Sequence, residues 1–117
     1  MSRRDDGIRL RHMLDHAREA LSISKNIDRN VLDSNRILSL ALVRLVEIVG
    51  EAAGSISEKC RESNPSVPWS QIISLRNRLI HGYDSIDHDI LWKILSDDLP
   101  RLVPELEKIL AKTDKNK

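Results

Sequence analysis

One long, mostly apolar stretch in the middle of the chain, ILSLALVRLVEIVGEAAGSI, constrains the fold more than any other feature. Its residues favour helix, and only a band containing Arg44, Glu47 and Glu51, spaced by three and four, is consistently charged. A helix that is apolar on most sides must be covered by other helices or by a second subunit. We therefore expect this helix at the centre of the core or at a subunit interface.

Capping and helix-weakening residues indicate the bounds of this central helix. Ser34 suits the N-cap position, because its hydroxyl can accept a hydrogen bond from a free backbone N–H group of the first turn. The helical pattern then runs toward Cys60. Gly50 and Gly54 weaken a helix, so a bend is expected near them.

Further helices are predicted on both sides of the central one. An apolar stripe at steps of four, three and four residues predicts a first helix over residues 5–24; the stripe consists of Leu10, Leu14, Ala17 and Leu21. After the breaking sequence NPSVPW, Ser70 is expected to cap a third helix that stops at Gly82, a residue suited to a left-handed turn. Asp87 is expected to cap a fourth, which Pro100 should kink or split.

These features together predict an all-α fold, a compact up-down bundle of four to five helices. Phe is absent, and only four Gly and four Pro occur, which favours helices over a sandwich or a barrel rich in turns. A chain of 117 residues suits one domain. We place that domain at residues 1–112 and expect residues 113–117 to form a disordered polar tail.

Charge and cysteine content restrict the class of protein. The single Cys excludes a disulfide within one chain, the N-terminal residues are charged, and no apolar run reaches membrane-spanning length, so we expect a cytoplasmic protein without membrane contact. Nineteen basic and eighteen acidic residues exclude nucleic-acid binding by bulk charge. Near-neutral charge also leaves little repulsion between two copies.

The segment from Arg76 to Tyr83 carries the side chains best suited to chemistry. On a helix, Arg76 would fall within the apolar stripe of the third helix, where a guanidinium needs a partner or an anionic ligand. Asn77 and His81, four residues apart, would share the opposite face. Arg can bind two phosphate oxygens, and an imidazole can exchange a proton near neutral pH. These groups suit a phosphodiester.

RNA supplies its own nucleophile, the 2′-hydroxyl, so its cleavage requires a base, an acid and a cation. One chain offers one suitable imidazole, His81, whereas a two-fold dimer offers two, together with two copies of Arg76. Homodimerisation is therefore expected. Glu47 and Glu51 are read as an ion-paired stripe that could hold Arg76, in preference to an acid pair sharing a proton, and Arg78 is expected to support the site.

The stretch LRNRLIHGYDSID contains an Arg, four residues, His, one residue and Tyr. This spacing resembles the R-x4-H-x-Y motif of HepT-like toxins in the HEPN superfamily, and LVEIVGEAAGSIS, NPSVPW and LWKILSDDLPRL are similar to that family as well. The resemblance implies a HEPN-like dimer with metal-independent endoribonuclease activity. It implies that Arg76 and His81 are catalytic, with Asn77 adjacent to them.

The resemblance also implies a toxin–antitoxin pair. The usual antitoxin of this family is a nucleotidyltransferase of the MNT type, which transfers AMP to the tyrosine that Tyr83 matches. An adenylyl group there would add bulk and negative charge to a cleft meant for RNA phosphate. Two alternatives stay open: a non-catalytic helical subunit that binds and regulates a nucleotidyltransferase, and a dimerisation module without a ligand.

No cofactor and no metal are assigned. His12 and His16 have the four-residue spacing of helical metal ligands but lack an evident third ligand. The acids and the histidine near the fourth helix are explained more simply as a cap and as first-turn residues favoured by the helix dipole; they are Asp84, Asp87, His88 and Asp89. Trp69 and Trp92 are interpreted as core anchors rather than as platforms for base stacking.

Overall fold

The computed structural model describes the backbone of residues 3–115 and the side chains of residues 5–112. In chain order the elements are α1 (Arg3–Ser24), α2 (Val31–Ser34), α3 (Arg36–Gly54), α4 (Glu58–Ser63), α5 (Trp69–Ile73), α6 (Leu75–Leu79), β1 (Ile80–His81), β2 (Ser85–Ile86), α7 (His88–Lys93), a π-helical turn (Ile94–Asp98) and α8 (Leu99–Lys115). The long helix α1 packs against both α3 and α8, and α5 and α6 pack against α3.

The core is built almost entirely from aliphatic side chains of these helices. Leu10 and Met13 of α1, Leu42 and Val46 of α3, and Leu106 of α8 are among the buried residues. Helices therefore carry the fold, as the apolar patterns predict, and in the described part of the chain the strands are limited to the two-residue pair β1 and β2. The all-α prediction is confirmed.

The predicted start of the central helix is wrong by one residue. Asn35 is the N-cap of α3, and its side chain accepts a hydrogen bond from the backbone N–H of Leu38 at 3.0 Å. Ser34 instead ends the short helix α2, which the sequence patterns did not reveal. Asn and Ser are comparably good N-caps, so two neighbouring candidates could not be separated from sequence alone.

The predicted single helix toward Cys60 is divided into two. Helix α3 ends at Gly54, and Ser57 caps α4 by accepting a hydrogen bond from the backbone N–H of Cys60 at 3.2 Å. The backbone N–H and the hydroxyl of Ser57 donate to the two carboxylate oxygens of buried Asp6 on α1, at 2.8 and 2.6 Å. This contact between distant segments explains why the chain turns after α3.

The predicted third helix is divided as well. Pro68 precedes its first residue, Trp69, and no side chain caps it, so the assignment of Ser70 as N-cap is wrong. The helix is interrupted at Ser74 and ends at Leu79, ahead of Gly82. Trp69 is buried and its indole N–H donates to the carbonyl of Asn64 at 2.9 Å, as expected of a core anchor.

The fourth predicted helix starts after Asp87 and is divided before Pro100, as the sequence predicts. Asp87 caps α7 by accepting a hydrogen bond from the backbone N–H of Ile90 at 3.0 Å. The π-helical turn then separates α7 from α8 immediately before Pro100, with the N–H of Leu99 bonded to the carbonyl of Ile94. A proline cannot donate to the preceding turn, and a π-turn is a common way to accommodate such a defect.

The C-terminal end of the chain is helical further than expected. Helix α8 extends to Lys115, whereas the polar tail was placed at residues 113–117. The last two residues of that tail lie outside the described residues. Among the residues that the structure describes, no helix combines the length and apolarity needed to cross a membrane.

Candidate functional site

The site begins with a close approach between α3 and the end of α5. A Cβ atom on Gly50 would lie 3.0 Å from the carbonyl oxygen of Ile72 and 3.6 Å from that of Ile73. Only a glycine in α3 leaves room for these carbonyl groups at this distance. The chain breaks at Ser74 directly afterwards, and α6 begins over the same part of α3. Gly50 thus permits the close approach of the chain that directly precedes α6.

The close approach brings Arg76 of α6 to Glu47 of α3. The Nε atom of Arg76 donates to Oε2 of Glu47 at 2.8 Å. The arginine side chain is 61% exposed, whereas the glutamate side chain is only 15% exposed. The pair therefore has one largely buried anchor and one accessible guanidinium group.

Arg76 does not lie within an apolar stripe, contrary to the helical projection. The helix is interrupted at Ser74, and in α6 Leu75 and Leu79 are buried while Arg76 is exposed. A projection assumes one continuous helix, and it fails once the helix is broken. The expectation that Arg76 needs a partner is nevertheless met by Glu47.

His81 belongs to a small hairpin and not to the helix on which it was predicted. Strands β1 and β2 pair in antiparallel register, with Ile80 opposite Ile86 and His81 opposite Ser85. Side chains alternate along a strand, and the two isoleucines pack against the core, so His81 is directed outward. The shared helical face with Asn77 was therefore a wrong prediction.

The turn of the hairpin presents Tyr83 to solvent. Gly82 has φ = 74°, in the left-handed region, as predicted, but it opens the hairpin turn and does not follow a helix end. Tyr83, the next residue, is 97% exposed. An aromatic side chain of this size is seldom left so accessible when it serves only packing.

His81 and Asp87 are in contact across the base of the hairpin. Nε2 of His81 lies 3.3 Å from Oδ2 of Asp87, whose backbone N–H also donates to the carbonyl of Leu79 at 2.8 Å. The backbone N–H of Ile90 is the main cause that lowers the pKa of Asp87 below its ordinary value, and the bond to His81 lowers it further. Asp87 is thus a carboxylate at neutral pH.

The other residues that the sequence assigned to the site lie outside the Arg76–Glu47 and His81–Asp87 pairs that the structure shows. Asn77 is exposed in α6 beside Arg76. Glu51 pairs with Arg44 at 3.2 Å, so of the two glutamates named from sequence only Glu47 contacts Arg76. Arg78 is directed toward the π-helical turn, where it lies 3.5 Å from Asp98.

Three other titratable residues named from sequence, His16, His88 and Asp89, each have a partner away from the two pairs. Nδ1 of His16 lies 2.6 Å from the carbonyl oxygen of His12. His88 pairs with Asp33 at 2.8 Å, and Asp89 pairs with Arg29 at 2.6 Å. Within the described residues, no group of three or more His, Cys, Asp or Glu could hold a metal ion.

The contact between Asp87 and His81 was not found from the sequence. Asp87 was recognised only as a helix cap, although the short hairpin also makes it a diagonal neighbour of His81. The signal that could have revealed it is the sequence IHGYDSID, in which Gly, Tyr and Asp separate two short segments that each contain an Ile. A ladder of two residues is too short to give a periodic pattern.

Comparison with known proteins gives a consistent result. A family model described as "Ribonuclease HepT-like" matches residues 13–109. A Methanocaldococcus jannaschii protein named provisionally as an RNase is 40% identical over 107 residues, which is 92% of this chain and 98% of that protein. A second protein of that organism, named in the same way, is 29% identical over 94% of this chain and 91% of its own length.

A further relative carries the family's own name. A Thermococcus cleftensis protein named provisionally as ribonuclease HepT is 36% identical over 69 residues, which cover 59% of this chain and 63% of that protein. No solved structure matches the chain.

Proposed function

The chain belongs to the HepT-like ribonuclease family of the HEPN superfamily, and on this basis we propose that it is a metal-independent endoribonuclease, the toxin of a toxin–antitoxin pair, which acts as a homodimer. One observation carries the proposal. Arg76 and His81 are both accessible, and each is held by a carboxylate of its own, Glu47 or Asp87. A cation and an imidazole fixed in this way suit phosphodiester cleavage.

In the proposed reaction, the imidazole of His81 in one copy accepts the proton of an RNA 2′-hydroxyl. The O2′ atom then attacks the adjacent phosphorus, and the bond from phosphorus to the 5′-oxygen breaks. The imidazolium of the second copy's His81 gives a proton to that leaving oxygen. The products are a 2′,3′-cyclic phosphate and a 5′-hydroxyl end, and exchange with solvent restores both histidines.

The guanidinium of Arg76 stabilises the negative charge that develops on the phosphate. Its Nε–H group is bonded to Glu47, which leaves the terminal nitrogens for two phosphate oxygens. Asn77, exposed beside it, can donate to the same phosphate or to a neighbouring one. No metal ion is required in this scheme, because RNA supplies the nucleophile and arginine supplies the positive charge.

The dimer that we propose would use an exposed apolar strip on α3, defined as Ile37, Leu40 and Ala41. Ile37 is 83% exposed, which is unusual for a large aliphatic residue in a folded helix. The strip continues along α3 toward Glu47. Glu47 follows Ile37 by ten residues, which is about 15 Å along a helix. A second copy packed there would bring its own Arg76 toward the first.

Purified protein and a structured RNA, incubated with EDTA, test the proposed activity. We expect fragments with 2′,3′-cyclic phosphate ends, because the 2′-hydroxyl is the nucleophile. His81→Ala and Arg76→Ala should abolish cleavage, whereas His16→Ala, which removes an imidazole on α1, should not. Cleavage that survives His81→Ala, or that stops when EDTA is added, would contradict the proposed mechanism.

The exposed tyrosine supports a proposal about regulation. Tyr83 follows His81 by two residues and stands at the tip of the hairpin, where a modifying enzyme can reach its hydroxyl. We propose that a nucleotidyltransferase antitoxin transfers AMP to this oxygen, with pyrophosphate as the leaving group from ATP. The added phosphate would repel the RNA backbone beside Arg76 and His81.

Co-expression with a nucleotidyltransferase encoded beside the chain, followed by intact-mass measurement, tests this regulation. We expect a mass gain equal to one AMP, absent from Tyr83→Phe, together with loss of RNA cleavage. An unmodified chain that binds the enzyme tightly and never cleaves RNA would instead favour the alternative, a non-catalytic subunit that regulates the nucleotidyltransferase.

A further inference from the structure

We propose that Asp87 is a positioning residue for His81, which holds the imidazole with its proton on Nε2 and leaves Nδ1 free to act on RNA. The inference rests on the proposed ribonuclease function, and it assigns to Asp87 a role beyond that of a helix cap. Asp87 itself would not touch the reacting atoms.

Three separate bonds fix Asp87 and thereby His81. Its backbone N–H donates to Leu79 at the end of α6, its Oδ1 accepts from the N–H of Ile90 in α7, and its Oδ2 faces Nε2 of His81 at 3.3 Å. The imidazole is therefore connected through one side chain to the start of a helix. An exposed histidine on a short hairpin would otherwise rotate freely about its side-chain bonds.

The carboxylate determines which ring nitrogen carries the proton. A carboxylate only accepts hydrogen bonds, so the nitrogen that faces it, Nε2, must be the donor, and the lone pair of a neutral ring then lies on Nδ1. When Nδ1 accepts the proton of the 2′-hydroxyl, the negative charge of Asp87 stabilises the imidazolium that forms. In the other copy the same contact would orient the ring that gives up its proton.

The hydrogen bond by which residue 87 caps α7 fixes the orientation of an asparagine placed there, so Asp87→Asn tests the inference directly. To keep its bond from the N–H of Ile90, the asparagine must place its amide oxygen where Oδ1 was, which puts its NH2 group where Oδ2 was. That NH2 group would donate to Nε2 of His81 and force the ring proton onto Nδ1. The isosteric variant would therefore present the wrong tautomer to RNA.

Asp87→Ser is the matched variant. Serine also caps helices well, but its short side chain does not reach His81, so the ring would be free to adopt either tautomer. We expect Asp87→Asn to lower kcat by at least about 100-fold and Asp87→Ser by about 10-fold, because a wrong tautomer is worse than a loosely held ring. Binding of uncleaved RNA, measured with a 2′-deoxy analogue, should change less than twofold in both.

The relative activities of Asp87→Asn and Asp87→Ser separate the positioning role of Asp87 from a purely structural role. If Asp87 only capped α7, asparagine would be the closer substitute and would retain at least as much activity as serine. Asp89→Asn is the control, because it removes a charge of the same helix turn that pairs with Arg29. It should leave cleavage unchanged.

Nitrogen NMR of the His81 ring tests the inference without RNA cleavage. Neutral His81 should show its proton on Nε2 in the wild type, a mixture in Asp87→Ser, and a shift toward Nδ1 in Asp87→Asn. This pattern supports the positioning role whether or not the wild type cleaves RNA, so failure of the proposed function would be distinguishable. The same tautomer in wild type and Asp87→Asn, or greater activity in Asp87→Asn than in Asp87→Ser, would overturn it.

Discussion

The guanidinium of Arg76 is bonded through Nε to a glutamate on another helix, with 2.8 Å between Nε and Oε2 of Glu47. The two residues are 29 positions apart in sequence, and the glutamate is the more buried partner. An ion pair whose cation is exposed to water contributes little to stability, because water screens the charge. The geometry fixes the direction of the cation, as the proposed reaction requires of a group that binds the RNA phosphate.

We expect Glu47→Ala to separate turnover from binding. Without its anchor, Arg76 would lose orientation, and kcat should fall about 10- to 100-fold, as it does when a catalytic group is displaced. Loss of the negative charge would leave KM for RNA unchanged or lower. Steady-state cleavage of a short fluorescent RNA measures both constants.

The control for this prediction is an ion pair elsewhere on the surface. Arg18 and Glu107 form a 2.6 Å pair between α1 and α8. Glu107→Ala should leave kcat and KM within twofold of the wild type. A Glu47→Ala variant with unchanged kcat would show that the anchor does not matter for turnover.

Gly50 and Gly54 of α3 should respond oppositely to alanine. A Cβ atom at Gly50 would press on a backbone carbonyl at 3.0 Å, whereas at Gly54 the nearest atom is a methyl group of Ile73 at 3.9 Å. We expect Gly54→Ala to stabilise by about 0.5 kcal/mol through reduced chain entropy. Gly50→Ala should destabilise by about 1 to 2 kcal/mol, because overpacking outweighs its helix propensity.

Urea denaturation of the two alanine variants measures these free energies. Gly50→Ala should also reduce RNA cleavage, since displacement of the Ile72 carbonyl moves the start of α6 and with it Arg76. Equal unfolding free energies of the two variants would mean that the end of α5 moves away from the added methyl group without loss of stability.

The long helices could be predicted from the sequence because burial repeats over many turns. Helix α1 has an apolar stripe that runs from Leu10 to Leu21 over about three turns, and the structure begins and ends the helix close to the expected residues. The start of α7 was also predictable, because the cap at Asp87 is a local interaction between near neighbours.

The breaks in the predicted second and third helices could not be predicted, because contacts between segments distant in sequence cause them. The turn at Ser57 depends on Asp6, which is 51 residues earlier, and the break at Ser74 depends on how α5 packs over Gly50. The identities of Arg76 and His81 as site candidates came from spacing and from resemblance. The sequence named both Glu47 and Glu51 as possible partners of Arg76, and only the packing separated them and revealed Asp87 as the partner of His81.

The cluster around Asp33 should make stability depend on pH in the acid range. Hydrogen bonds first from His88 and then from Arg29 lower the pKa of Asp33 below its ordinary value of 3.8. A carboxylate with a lowered pKa contributes stability above its unfolded pKa, and that contribution is lost as the pH falls through the folded pKa. The difference in unfolding free energy between wild type and Asp33→Asn should therefore shrink from about pH 5 to about pH 2.

Urea unfolding at a series of pH values follows this difference. Asp15→Asn is the comparison, because it removes an exposed acid of α1 outside the cluster. A difference between wild type and Asp33→Asn that stays constant down to about pH 2 would mean that these bonds do not couple Asp33 to folding.

The proposed dimer interface predicts that a charge on α3 separates the copies. Ile37→Asp places a carboxylate where a monomer exposes the side chain to water, so the stability of one chain should change by less than about 0.5 kcal/mol. A carboxylate buried between two copies without a partner would prevent association. Sedimentation should show monomers, and RNA cleavage should be lost. An Ile37→Asp variant that remains dimeric would place the interface elsewhere.

Mixing wild type with His81→Ala in rising proportion tests whether both copies serve one RNA phosphate. If one histidine accepts a proton and the other donates one, a mixed dimer is inactive, and cleavage falls as the square of the wild-type fraction after the subunits exchange. If each copy works alone, cleavage falls in direct proportion. The two curves differ most near equal mixing, where a quarter of the activity remains in the first case and half in the second. A linear curve would therefore refute the composite site even for a chain that is dimeric and active.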